Sequence, residues 1–216
     1  NYKAIIKGAA DAAKHLMQAD LDQNDAFKYA CYRNYFRTFG RYEVENFIVY
    51  DPGLNMMGQV WKQLFGESEG KDHKALYPSI SLFTTDLHSM GQYLQEGARN
   101  FFETTLFVKR PISDIKLHME SKRLSYLNGR KLSDLNQIAM LSTVRAHYED
   151  GKTRNLIIYV DKQDAYHFGY LYIWLCFAAM CSAYLLRLNP FDQPGVEIYK
   201  NRIKNILINK EKRIND

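Results

Sequence analysis

Three short stretches of the chain gather residue types that move protons. Gly66-Glu67-Ser68-Glu69-Gly70-Lys71-Asp72 crowds acids, a hydroxyl and a lysine between glycines at the end of an apolar run. A carboxylate there could take a proton from carbon if its surroundings bring its pKa toward neutrality. Thr84-Thr85-Asp86-Leu87-His88-Ser89 puts a histidine, whose proton exchanges near neutral pH, at the tip of a hydroxyl-rich turn. Phe191-Asp192-Gln193-Pro194-Gly195-Val196-Glu197-Ile198-Tyr199-Lys200 opens a terminal helix with a proline and ends on a lysine. Composition alone also allows plainer readings: a solvated turn for the first stretch, and a capping Thr or Asp beside a surface histidine for the second.

Several large enzyme classes lack their marks here. No phosphate-binding Walker loop, no GxGxxG, no HExxH and no GxSxG occurs. The six histidines, at 15, 73, 88, 118, 147 and 167, show no i, i+4 pair of the helical metal-site kind, so the chemistry is expected to be metal-free and without a cofactor. Cys31, Cys176 and Cys181 lack zinc spacing and are few, which fits a reduced, cytoplasmic protein.

The elements that must position these residues follow from patterning. Hydrophobic residues make up 46% of the 216 and charged residues 25%, so the chain can bury a core and is not disordered. Of the formal charge of +5, the run from Lys200 to Asp216 supplies +4, from six basic and two acidic residues. A basic tail on a nearly neutral body, with no interleaved aromatic face, argues against nucleic-acid binding. The uncharged run Gly169–Leu186 approaches the length of a membrane span. Its three tyrosines, its serine and its polar approach favour a buried central helix instead, with no membrane partner.

Before that helix, residues 1–40 form two helices joined by the DLDQND break, with Asn24 as N-cap. Short β-rich runs start near Val44, Ser79, Phe101 and Asn155, and helical patterns span 54–65 and 135–148. A polar loop is expected from Gly66 to Lys74, and a last helix from about Pro194 to Ile208. Strands alternating with helices predict an α/β three-layer sandwich with a mainly parallel sheet and flanking helices. Such sheets bind ligands at the carboxyl ends of their strands.

The three stretches together are specific. FDQPGVEIYK resembles the C-terminal signature of the glucose-6-phosphate isomerases, with every fixed position matched. Phe65–Asp72 and Thr84–Gly97 resemble two further segments of the short bacterial form of that family, in the same order, followed by the similar RNFFETTLFV run from Arg99. The resemblance implies a second sugar-isomerase-like α/β domain at 41–188, a helical lead-in at 1–40 from a missing first domain, and a C-terminal helix at 189–216. The family's GGRxS segment and its phosphate-holding loop have no counterpart in these residues.

The resemblance further implies the interconversion of glucose 6-phosphate and fructose 6-phosphate through a cis-enediol, without a cofactor. Glu67 matches the base that moves the proton between C1 and C2, with Glu69 as its neighbouring decoy. His88 and Lys200 match the groups that open the sugar ring, Gln193 a residue that holds the substrate near its phosphate, and Gln63 lies one turn before Glu67. The family's histidine comes from the neighbouring subunit, which implies a homodimer. The fragment alone is expected to be inactive. The alternative is a non-catalytic sugar-phosphate-binding regulatory module of the same fold.

Overall fold

A four-stranded sheet, all parallel and ordered β2-β1-β3-β4, organises the computed structural model, which describes residues 1–209. Its strands are β1 (Val44–Val49), β2 (Tyr77–Leu82), β3 (Phe101–Arg110) and β4 (Asn155–Lys162). The helices are α1 (Tyr2–Leu16), α2 (Asp25–Thr38), α3 (Asn55–Glu69), α4 (Gly91–Glu96), α5 (Leu132–Glu149), α6 (Ala165–Leu185) and α7 (Pro194–Asn209). The end of the basic run, residues 210–216, lies outside the described residues.

Both faces of the sheet are covered, as an all-parallel sheet requires. On one side Phe47, Val49 and Leu106 pack against Met57, Trp61 and Phe65 of α3 and Leu171, Trp174 and Leu175 of α6. Ala12 and Leu16 of α1 and Ala26 and Tyr29 of α2 join the same core, so the first two helices are built into the α/β unit. The α1–α6 crossing is close: a Cβ on Gly8 would lie 1.9 Å from the Tyr166 carbonyl oxygen, which only glycine avoids. On the other side Ile48, Tyr50, Phe83, Phe101 and Phe107 meet Leu94 of α4 and Met140 of α5.

The apolar run expected to form a central helix does so. Helix α6 is long and apolar enough to cross a membrane by length and composition, yet Leu171, Leu175, Ala178, Ala179 and Ala183 are buried between the sheet and α1, α2 and α3. Asn24 caps α2 by accepting from the Phe27 amide at 3.0 Å, and its Nδ2 ties back to the Leu16 carbonyl at 2.9 Å. The expected loop from Gly66 is the main departure, because α3 continues four residues further, to Glu69.

Candidate functional site

Why α3 runs on through Gly66-Glu67-Ser68-Glu69 is visible in its buried stripe. Met57, Trp61, Phe65 and Glu69, four residues apart, share the face that meets the core. Glu69 extends an apolar stripe with a charge, and that charge has a buried partner. Arg33 of α2 donates through Nη1 to Glu69 Oε1 at 2.6 Å and to Ser182 Oγ at 2.8 Å, and through Nε to Glu45 Oε2 at 2.5 Å. Tyr29 and Thr104 donate to the other Glu45 oxygen at 2.5 and 2.6 Å, and Trp61 Nε1 donates to the Tyr29 hydroxyl at 3.1 Å. The guanidinium carbon lies 4.0 Å from the centre of the Phe65 ring.

All of these charges are buried. Burial works against the Arg33 cation, but Glu45 and then Glu69 outweigh it and raise its pKa above the ordinary value. Burial, reinforced by the Glu45 charge, pushes the Tyr29 phenol well up. Glu69 is therefore committed to holding α2, α3 and the sheet together.

Glu67 faces the other way. It is exposed on the outer side of the last turn of α3, and its contact is with Gln63, four residues earlier, whose Nε2 donates to Glu67 Oε1 at 3.4 Å. The helix then stops abruptly. Gly70 packs against the helix end so closely that a Cβ there would lie 2.3 Å from the Gly66 carbonyl oxygen. Asp72 and His73 follow in the left-handed region, at φ 53° and 57°. Out of this turn Lys71 reaches the C-terminal signature: its ammonium donates to the Asn189 carbonyl oxygen and pairs with Asp192 Oδ1 at 3.0 Å. The hydrogen bond from Lys71, and then its charge, lower the pKa of the Asp192 carboxyl.

Gln193 follows directly, and its carbonyl accepts from the amide of Val196 at 3.0 Å as α7 begins. Gln193 and Lys200 are both exposed, and the Lys200 ammonium pairs with Glu197 on its own helix at 3.1 Å. Gln63, Glu67 and the start of the signature are thus gathered around the end of α3, while Lys200 stands further along α7.

His88 is elsewhere. It closes the 3-10 turn Thr85–His88 after β2, a turn secured by Asp86 Oδ2, which accepts from the Leu82 amide at 2.7 Å. The His88 ring is exposed and has no hydrogen-bond partner among the described residues. Gly66 abuts Pro78, near the start of β2, and His88 lies beyond its end. Six strand residues at roughly 3.3 Å each put the two groups about 17 Å or more apart. Within one copy, Glu67 sits at the amino ends of the strands and His88 at the carboxyl ends.

The chemistry was expected at the carboxyl ends, and for Glu67 the structure differs. The chain turns back through α3 after β1, so the helix end that presents Glu67 points the other way. At the switch point between β1 and β3, a cavity of about 70 Å³ is lined by Tyr50, Asp51, Lys109, Ser133 and Asn136, and by none of the candidate residues. A wider groove of about 580 Å³ runs along the open edge at β4, beside His15, Tyr166, Tyr170 and Trp174, and also excludes them. On the α5 face, Glu103 and His147 form a second buried pair, with His147 Nδ1 at 3.0 and 2.9 Å from the two carboxylate oxygens. Among the described residues no three His, Cys, Asp or Glu side chains converge as a metal site.

Arg33 and Glu45 escape a reading by motif, and Lys71, although inside the Phe65–Asp72 segment, draws no role from it. The four-residue stripe ending on Glu69 was a signal for the buried end of the network, whereas nothing local marks Lys71 as a partner of Asp192.

No protein-family model matches the chain. Among curated proteins it is 44% identical over 203 residues to the glucose-6-phosphate isomerase of Lactiplantibacillus plantarum, covering 93% of this chain and 45% of that protein. It is 43% identical over 211 residues to that of Mesoplasma florum, covering 96% and 49%, and 45% identical over 206 residues to that of Symbiobacterium thermophilum, covering 94% and 46%. The chain therefore spans about half the length of these relatives. Among solved structures, a hypothetical protein from Thermus thermophilus superposes with a TM-score of 0.84 at 25% identity, covering 96% of this chain and 50% of that one. A glucose-6-phosphate isomerase from Chlamydia trachomatis gives 0.83 at 18% identity, covering 98% and 44%, a likeness of fold.

Proposed function

Because this chain is a C-terminal portion of a glucose-6-phosphate isomerase, we propose that it supplies the proton-moving half of a site that interconverts glucose 6-phosphate and fructose 6-phosphate. Glu67 takes the C2 proton of the opened aldose, leaving a cis-enediolate, and returns a proton to C1 to give the ketose. Opening the ring requires a proton delivered to the ring oxygen as one leaves the C1 hydroxyl. His88 and Lys200 carry out that exchange, Lys200 also stabilising negative charge as it develops. Gln193 and Gln63 contact the substrate.

One observation carries the assignment. Of the two glutamates in the stretch, Glu69 is buried against Arg33, while Glu67 is exposed and, among the described residues, its side chain is hydrogen-bonded only to a neutral amide. A non-catalytic binding module needs neither an uncommitted carboxylate nor an exposed imidazole. Because Glu67 and His88 lie at opposite ends of one sheet, the site takes its histidine from a second copy, in a homodimer. The working enzyme is placed in cytoplasmic sugar-phosphate metabolism. Because the 216 residues span about half the length of the relatives they match, they are expected to be inactive alone, loss of one electrostatic partner typically costing about 100- to 1,000-fold.

The test is exchange of the substrate C2 proton with solvent deuterium in the full-length protein. Glu67→Gln abolishes exchange and leaves substrate binding nearly intact, whereas Glu69→Gln lowers stability and keeps exchange in the folded fraction. Retained exchange in Glu67→Gln overturns the assignment.

A further inference from the structure

We propose that Lys71 is a positioning residue of this site, clamping the segment that leads into α7 onto the end of the helix that presents Glu67. The inference rests on the isomerase reading above. Lys71 lies in a polar turn, where a lysine ordinarily trails into solvent, yet its side chain is only 9% exposed. Its ammonium meets two acceptors 118 and 121 residues away, the Asn189 carbonyl oxygen and Asp192 Oδ1, the latter at 3.0 Å. Among the described residues, no other ion pair or side-chain hydrogen bond joins the stretch after Leu188 to the rest of the chain.

Both sides of the clamp are themselves fixed. On one side the Lys71 amide donates to the Glu69 carbonyl at 2.6 Å and the Lys71 carbonyl accepts from the Lys74 amide at 3.1 Å, while the Glu69 side chain is anchored on Arg33. On the other, Asn189 Oδ1 accepts from the Phe191 amide at 3.1 Å, and the Gln193 carbonyl accepts from the amides of Val196 and Glu197 at 3.0 and 3.3 Å, starting α7. A chain of short contacts thus runs from the helix of Glu67 through Lys71 to the helix of Lys200. Proton transfer at carbon and ring opening act on adjacent atoms of one small sugar, and a misplacement of about 1 Å can cost 100-fold.

The pair is too exposed at Asp192 to matter much for folding, so the effect should appear in turnover rather than in stability. In the full-length protein, Lys71→Met is expected to lower kcat for fructose 6-phosphate about 10- to 100-fold. KM should change less than about threefold and the melting temperature little. Lys71→Arg, which keeps the charge and can reach both acceptors, restores most of kcat. Asp192→Asn gives a smaller loss because the Asn189 contact survives, and adding it to Lys71→Met costs nothing further. A parent protein without isomerase activity overturns the isomerase reading and this inference together. An active parent with Lys71→Met at undiminished kcat overturns the clamp alone. Should Lys71→Met fail to fold, Asp192→Asn decides: a several-fold loss of kcat at unchanged melting temperature supports the clamp, and full kcat overturns it.

Discussion

The two ends of the sheet are built differently. At the amino end, Glu67 rides on a helix whose last turn is held from beneath by the Arg33–Glu45–Glu69 network and from the side by Lys71 and Asp192. At the carboxyl end, His88 stands on a short turn secured by the bond from the Leu82 amide to Asp86. The end to which we assign proton abstraction from carbon is tied down by more contacts. A carboxylate that abstracts a carbon-bound proton needs accurate placement, whereas an imidazole exchanging protons between oxygens works through hydrogen bonds that tighten as substrate arrives.

Breaking each end in turn sharpens the contrast. Glu67→Gln in the full-length protein is expected to lower kcat about 1,000- to 10,000-fold, and His88→Asn about 100-fold, within the range for single acid–base groups. The open-chain fraction of substrate should still exchange its C2 proton with solvent deuterium in His88→Asn. Equal losses of that exchange in both variants would erase the distinction.

For stability the ends should differ as well. Arg33→Met leaves Glu45 and Glu69 buried without their cation, at an expected cost of about 3 to 5 kcal/mol in urea unfolding. Asp86→Ala removes one charge-assisted hydrogen bond at the other end and should cost about 1 to 2 kcal/mol. Equal costs would mean that the buried network is no stronger a tie than the turn.

The smallest effect concerns acid. Asp164, the N-cap of α6 at the carboxyl end, accepts from the amide and ring of His167, and these bonds bring its pKa down to about 2. A carboxylate depressed in the folded state stabilises fully above its unfolded value of about 4, and that contribution fades as pH falls toward 2. The melting-temperature gap between parent and Asp164→Ala should therefore hold steady from pH 7 to about 5 and narrow below about 4. A gap that widens in acid would contradict the assignment of this cap.

Much of the fold is legible in the sequence because its signals are local. The strands at Val44 and Asn155 are β-branched runs with breakers nearby, and Asn24 advertises its helix by its place after a polar turn. The end of α3 is not legible in that way. Gly66-Glu67-Ser68-Glu69-Gly70 has the composition of a turn, and it stays helical as far as Glu69 because Glu69 finds an arginine 36 residues upstream. The separation of Glu67 from His88 is hidden for another reason: 21 residues apart in sequence, they end at opposite ends of the sheet only because α3 runs back along β1 before β2 begins. The family resemblance named both residues, and the topology sets them at opposite ends of the sheet within one copy, which is the ground for the proposal that one site draws them from two copies.

That last point is the central claim, and mixed dimers test it directly. Full-length Glu67→Gln and His88→Asn, each nearly inactive alone, are coexpressed with different tags and the heterodimer is purified. If each site pairs Glu67 of one copy with His88 of the other, the heterodimer holds one intact site and should regain about half the activity of the parent dimer. A heterodimer no more active than the two variants themselves would place both residues in the same copy's site and contradict the account.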